Sequence, residues 1–282
     1  MARTDDSLVD RTSSHQQPEM TTGALIFAYN NEAFDYVRMA AWVAEHVRRH
    51  LGIPVAVVTD RPTDLPFDRV ILQDSPAQDS RWFSDANQRV AWNNHGRPDA
   101  FDLSPWDRTL LIDADYVVAS DRLRMILDCS YLIVAYHDRA YDVTGMNNFQ
   151  ALNRLGAYDW PLAWATVLIF DRSRHAQLMF QSMKMIRDNW QHYREIYHDR
   201  NRTYRNDHAL TIALNIVNGH TPARNHLPWS LATVMPEHKL TQTGLDRYRV
   251  QFVRPDNKPA WLELVGQDFH AMGKQSLMAL IQ

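Results

Sequence analysis

Cysteine is nearly absent: Cys129 is the only one among 282 residues. A lone thiol excludes a disulfide framework or a cysteine-rich zinc site. It suits a reducing cytoplasm, where the protein is expected to reside. No apolar run approaches the roughly eighteen residues of a membrane span. Residues 1–20 lack the apolar core of a signal peptide. Rich in Asp, Ser, Thr and Gln, they are expected to form a disordered tail, with Met20 a candidate natural start. An excess of one charge is missing too. The formal net charge of −3 argues against a general polyanion-binding surface, though not against a local basic groove. No Gly-x-Gly-x-x-Gly follows the first predicted strand, which speaks against a dinucleotide-binding dehydrogenase. Internal repeats, low-complexity blocks and a clear interdomain linker are also lacking.

What is present is apolar and aromatic. Hydrophobic residues make up 45% of the chain, enough for a sizeable core, and nine Trp and eleven Tyr exceed what a core alone requires. Gly23–Tyr29 reads as a buried strand, with Asn30-Asn31 as a helix cap. Phe34, Val37, Ala40, Ala41, Ala44, Val47 and Leu51 recur at helical spacing over 33–51, and Gly52 stands where a helix stops. Strands are predicted at 53–58 and 69–72. This β-α-β opening predicts a mostly parallel α/β sheet flanked by helices. The stretch 73–104 reads as loops with a short helix. Further strands are predicted at 109–112, 131–135 and 165–170, separated by an irregular excursion over 137–164. Ser173 is the expected cap of one long helix to about Tyr197. Its stripe Met179, Met183, Ile186, Trp190, Tyr193 and Tyr197 reads as core packing. A helix over 207–218 follows, and the chain from His220 on is loop- and strand-like.

The most informative stretch is Pro105-Trp106-Asp107-Arg108-Thr109-Leu110-Leu111-Ile112-Asp113-Ala114-Asp115. An apolar strand delivers two carboxylates, one residue apart, to its carboxyl end. Ligands usually bind at that edge of an open α/β sheet. Hard cations such as Mg²⁺ or Mn²⁺ bridge carboxylates to phosphate oxygens. A pair of solvated turn aspartates is the plainer alternative.

This stretch resembles the metal-binding segment of nucleotide-sugar glycosyltransferases of the GT-A fold, particularly the glycogenin and lipopolysaccharide galactosyltransferase group. The matching positions are Trp106, Asp107-Arg108, Thr109–Ile112, Asp113-Ala114-Asp115 and Val117-Val118. A second patch, Asp268-Phe269-His270-Ala271-Met272-Gly273-Lys274, is similar to the segment that closes the donor site in that group. A weaker resemblance is to uncharacterised glycosyltransferase-like proteins of tailed bacteriophages. The resemblance implies a single GT-A (Rossmann-like) domain over 21–282, with a nucleotide diphosphate sugar as donor and Mn²⁺ or Mg²⁺ as cofactor. It implies Asp113, Asp115 and His270 as metal ligands, with Gly273 and Lys274 at the diphosphate. Lys274 directly follows the glycine, which departs from the group's usual spacing. Ala28, Tyr29 and Asn30 fall where that group contacts base and ribose; a core Tyr and a capping Asn are the alternative. Asp60 and Arg97 are further nucleotide-site candidates, with Arg89 as a rival to Arg97. Asp207-His208 matches an Asp-Gln pair beside the donor sugar, which makes both candidate catalytic residues. An N-cap Asp with an exposed His is the alternative. Trp164–Val167 and His137 are weaker sugar-side candidates.

The expected reaction is transfer of a sugar, from a UDP-sugar by preference, to an acceptor hydroxyl, with retention implied by the group. The phage resemblance implies a hydroxymethylated DNA base or a glycan as acceptor. Seven arginines over 172–205 offer phosphate contacts, or else a solvated face balanced by Asp188, Glu195 and Asp199. Two other classes remain. A sugar nucleotidyltransferase would carry a glycine-rich basic loop where Tyr29-Asn30-Asn31-Glu32 stands. An inactive nucleotide-sugar-binding or structural protein is the other; the intact Asp113, Asp115 and His270 speak against loss of activity without deciding it.

Overall fold

The computed structural model describes residues 20–281 except 75–78, 85, 94, 130–133, 201 and 222–225. The expected tail over 1–20 therefore lies almost wholly outside the described residues. In chain order the first elements are β1 (Thr22–Phe27), α1 (Tyr36–Leu51), β2 (Val55–Thr59) and β3 (Arg69–Leu72). A hairpin of β4 (Asp79–Phe83) and β5 (Gln88–Trp92) follows, then a 3₁₀ turn (Arg97–Asp99) and α2 (Ala100–Leu103). Next come β6 (Arg108–Asp113), β7 (Tyr116–Val117), α3 (Arg122–Leu127), β8 (Val134–His137), β9 (Ala140–Asp142), β10 (Arg154–Leu155), β11 (Trp160–Pro161) and β12 (Trp164–Asp171). The remainder is α4 (Arg174–Asp188), α5 (Trp190–Ile196), α6 (Asn206–Val217), β13 (Leu231–Val234), β14 (Lys239–Gly244), β15 (Arg247–Val253), β16 (Pro259–Val265), β17 (Phe269–Ala271) and α7 (Lys274–Leu280).

The fold is α/β with a parallel-rich central sheet, as the opening pattern predicts. Six strands run in the order β3-β2-β1-β6-β12-β8, and only β12 opposes its neighbours. β2 is buried throughout, and its uninterrupted Val55-Ala56-Val57-Val58 run fits a strand covered on both faces. α1 packs on β1 and β2, α6 on β12, and α4 on α6. One cluster of buried apolar residues extends from Ala24 to Leu277. A second sheet, β7-β17-β13-β9, carries late residues back to the end of β6, and β14-β15-β16 form an antiparallel meander. No helix among the described residues is long and apolar enough to cross a membrane.

Local chemistry shifts several boundaries. α1 begins at Tyr36, where Asp35 holds the N-cap position and its carboxylate accepts from the Arg38 amide at 2.9 Å, while Asn30 reaches in from just past the end of β1 to accept from the first-turn Val37 amide at 2.9 Å. Asn31 instead ties the preceding turn through the Ala33 and Phe34 amides. Gly52 ends α1 at φ 63°, in the left-handed region, as expected. The stretch 73–104, predicted as loops with a short helix, contains the β4–β5 hairpin as well. Ser173 does cap α4, accepting from Ala176 N at 3.2 Å. The single helix predicted to Tyr197 is two, however, broken where Asn189 leaves helical geometry (φ −124°, ψ 36°). Part of the strand predicted at 131–135 lies outside the described residues.

Candidate functional site

β1 pairs β2 on one side and β6 on the other, all three parallel, so the order in which the chain adds strands reverses between β1 and β6. That switch point opens a crevice at the carboxyl ends of both strands. β6 delivers Asp113 there, and Asp115 follows two residues later, with Ala114 between them. β7 then pairs antiparallel with β17, placing His270 opposite Tyr116, and the Ala271 amide donates to the Asp115 carbonyl at 2.9 Å. This backbone pairing is what sets the imidazole beside the aspartates. Ligand atoms of Asp113, Asp115 and His270 all lie within 4.8 Å of one another. Two carboxylates and an imidazole suit Mn²⁺, whereas Mg²⁺ takes an all-oxygen shell. The fit has a second sign: buried Asp115 Oδ1 has no hydrogen-bond partner within the fold, and His270 Nε2 stands 3.4 Å from it.

Two cations reach the carboxylates. The Arg97 guanidinium, only 2% exposed, bonds Asp113 Oδ1 and the Ala165 carbonyl. Lys274, first residue of α7, pairs with Asp115 Oδ2 and donates to the Ala271 carbonyl at 3.3 Å. Gly273 lets that turn pass tightly, since a Cβ there would stand 3.2 Å from Pro236 Cα. Burial raises the Asp113 carboxyl above its ordinary range, and Arg97 offsets this only in part. Burial acts on Asp115 in the same sense, but Lys274 and His270 outweigh it and hold the group well below that range.

Asp207 sits in the first turn of α6. Its Oδ1 accepts from the Ala165 amide at 2.8 Å and its Oδ2 from Arg205 at 3.0 Å. It is not the N-cap, a place that Arg205 holds without a side-chain bond. Burial would raise this carboxyl; Arg205 leads the groups that bring it below its usual value. Tyr29 is 5% exposed and donates from its hydroxyl to Gln73 Oε1 at 3.0 Å. Burial, with Asp60 and Asp99 nearby, pushes the phenol up, so it stays neutral.

One pocket gathers Tyr29, Arg97, Asp113, Asp115, Asp207, His270 and Lys274, together with Trp164, Ala165 and Thr166. Ala28, Asn30, Asp60, Arg89, His137, His208 and Gly273 do not line it. Ala28 is core. Asn30 accepts from the Val37 amide at 2.9 Å, Asp60 lies 3.9 Å from Arg61, and Arg89 bonds Ser80 across the hairpin. His208, the expected exposed or catalytic partner of Asp207, turns inward and pairs with Asp199. His137 is fully buried with both ring nitrogens unpartnered, and burial, with His270 and Arg122, lowers it to about 3. The pocket also holds residues that the sequence reading passed over: Arg205, Asn206, Tyr36, and Trp82 with Trp92 from the β4–β5 hairpin. The hairpin's signal was Trp82-Phe83 on one side and Val90-Ala91-Trp92 on the other side of Asn87, which takes φ 49°. Of the seven arginines over 172–205, Arg172, Arg187 and Arg205 are engaged within the fold.

No protein-family model and no curated protein matches the chain. Solved glycosyltransferase structures are similar to it. The apo form of GlyE from Streptococcus pneumoniae TIGR4 is 14% identical over 70% of this chain and 43% of that one, with a TM-score of 0.38. The galactosyltransferase LgtC, in complex with donor and acceptor sugar analogues, is 14% identical over 68% and 70%, at 0.43. Mouse xyloside xylosyltransferase 1, apo, is 12% identical over 71% and 83%, at 0.41. The chain thus spans under half the length of GlyE. These likenesses are distant, and no residue's role rests on them.

Proposed function

We propose that this protein is a metal-dependent glycosyltransferase that moves a sugar from a nucleotide diphosphate sugar, a UDP-sugar by preference, to an acceptor hydroxyl. The observation that carries this reading is the Asp113–Asp115–His270 cluster, set in one pocket with Lys274, Arg97 and Tyr29 at the sheet's switch point. The charges of that pocket support it. Asp113, Asp115 and Asp207 are matched by Arg97, Lys274 and Arg205. A divalent cation alone, or a diphosphate alone, would upset that balance; the two together keep it. Desolvated charge without a partner is costly, so the pair is favoured over either member.

Asp113, Asp115 and His270 would hold the cation. Bound there, it supplies Lewis-acid neutralisation of the departing diphosphate. Lys274, drawn off Asp115, meets the diphosphate oxygens, and Arg97 stays fixed beside Asp113. The neutral Tyr29 ring flanks the base. Asp207, held by the Ala165 amide and Arg205, orients the sugar hydroxyls. The acceptor oxygen bonds to the anomeric carbon as the carbon–oxygen bond to the diphosphate breaks. The acceptor approaches on the face that the diphosphate leaves, so configuration is retained; the leaving group takes the electron pair, and its freed oxygen takes the acceptor proton. A variant course uses Asp207 as the base and inverts.

A panel of nucleotide sugars incubated with Mn²⁺ and no acceptor tests the reading. Slow, metal-dependent hydrolysis of one donor is expected. If no donor is turned over and no nucleoside diphosphate binds, the proposal fails.

A further inference from the structure

Strand register aligns Tyr116, His270, Thr233 and Asp142, all buried, in one row across the sheet β7-β17-β13-β9. Directly opposed residues share a face. The opposite face is turned to the β14–β16 meander, where Phe269 meets Tyr248 with ring centroids 5.1 Å apart. His137, the last residue of β8, reaches the row from the central sheet. Its ring centroid lies 6.5 Å from that of Tyr116, and it is near enough to His270 for the two imidazoles to act on each other electrostatically. His137 and Thr233 are 0% and 1% exposed. Both ring nitrogens of His137, Thr233 Oγ1 and His270 Nδ1 have no hydrogen-bond partner among the described residues. Buried polar groups of this kind are satisfied by protein or by ordered water. His270 Nε2 is turned to Asp115 Oδ1, at 3.4 Å, so Nδ1 is the nitrogen on the far edge of the ring.

We infer that His137 is a positioning residue for the metal ligand His270, joined to its Nδ1 through one ordered water that Thr233 also bonds. A buried water makes about three hydrogen bonds to groups the fold leaves unpaired, and His270 Nδ1, one nitrogen of His137 and Thr233 Oγ1 supply three. Polar groups that face each other without a direct bond are what a bridging water completes. The donors and acceptors balance. Burial keeps the His137 ring neutral, so one of its nitrogens is an acceptor. The water accepts from His270 Nδ1–H, donates one hydrogen to that nitrogen and the other to Thr233 Oγ1. A proton held on Nδ1 fixes the His270 tautomer whose Nε2 lone pair faces the aspartates, and strengthens that nitrogen as a ligand. His137 lies off the pocket and acts only through His270. This role rests on the metal-dependent reading of the site.

Calorimetric titration of Mn²⁺ into the full chain in excess UDP tests the role apart from turnover. His137→Phe should weaken Mn²⁺ binding about tenfold to a hundredfold, with the unliganded melting temperature close to wild type. Thr233→Val keeps the shape and removes the hydroxyl, and should weaken binding in the same direction by less. His137→Gln, which keeps a donor and an acceptor, should recover part of the loss. A purely structural role would lower the melting temperature and leave the Mn²⁺ affinity of the folded protein unchanged. A crystal structure of the metal-free chain should show a water within hydrogen-bond distance of His270 Nδ1, His137 and Thr233 Oγ1. Wild-type affinity in the folded variants overturns the inference, as does a structure without that water; should His137→Phe not fold, Thr233→Val decides. A wild-type chain that takes up no Mn²⁺ with UDP is a different failure, because it removes the metal site itself and the role of His137 with it.

Discussion

Asp207 uses its two oxygens differently: one fixes the Ala165 amide, the other holds Arg205 at the pocket. Asn can keep the first contact but not the ion pair. Asp207→Asn should therefore bind UDP with near-normal affinity and stay folded, while donor hydrolysis falls by about a hundredfold or more, the usual cost of removing an electrostatic group from the reacting centre. Calorimetry and hydrolysis on one preparation read both quantities, and a fully active variant would return Asp207 to a purely structural role. Asp142 offers a test away from the pocket. It is buried and accepts from the Thr144 amide and hydroxyl and from the Asn147 amide and side chain, at 2.8–3.0 Å. Burial works against its charge, but these donors prevail and hold its pKa below the ordinary value. A carboxyl depressed in the folded state contributes stability above its unfolded pKa, about 3.9. That contribution is lost as pH falls through the folded value. Asp142→Ala should cost about 2 kcal/mol at neutral pH. The penalty should shrink as pH is lowered below about 4, which melting curves across that window will show. An unchanged difference at every pH would mean that titration of Asp142 contributes nothing.

Among the elements, those with many residues on one period were legible. β1, β2, β6 and α1 announce themselves because each repeats an apolar choice several times. β17 has only three residues, all buried, too few to show a period, and it exists because β7 and β13 supply partners on both sides. The break at Asn189 was hidden for the opposite reason: the apolar stripe runs on through it to Tyr197. Asp113 and Asp115 stood out by their spacing at a strand end, and His270 and Lys274 came from the family resemblance; all four line one pocket. Arg205 could not stand out, since it is one arginine among seven until the start of α6 turns it and Asp207 into the same pocket. The inward turn of His208 was equally illegible, because Asp199 must first fold back onto it. One element contact deserves a direct test. β1 runs so close to the turn before β6 that a Cβ on Gly23 would stand 2.4 Å from Trp106 Cε2, while the indole donates to the Ala24 carbonyl at 3.2 Å. Gly23→Ala should cost roughly 1–3 kcal/mol in a denaturant melt. A variant as stable as wild type would show that Trp106 is free to move.

For the molecule as a whole, the balanced charges of the pocket predict mutual reinforcement. Mn²⁺ alone and UDP alone should each raise the melting temperature little, and together they should raise it by more than the sum, as ligands that bind only the folded state do. His270→Ala should erase the excess while leaving the unliganded melting temperature close to wild type. Strictly additive shifts for uridine, guanosine and cytidine diphosphates alike would dismiss the joint metal–diphosphate site. The same centre has a history within each folding event. Asp113 and Asp115 arrive with β6, whereas His270 and Lys274 come from β17 and the start of α7, near the far end of the sequence. Until that late strand docks, two neighbouring carboxylates face each other with Arg97 as their main counterweight. Closing so long a loop is slow, and the repulsion it relieves gives the closing strand an electrostatic pull toward its place. During refolding, divalent ions in the medium can stand in for the missing side chains. They should speed the final phase at low ionic strength and lose that effect as salt rises.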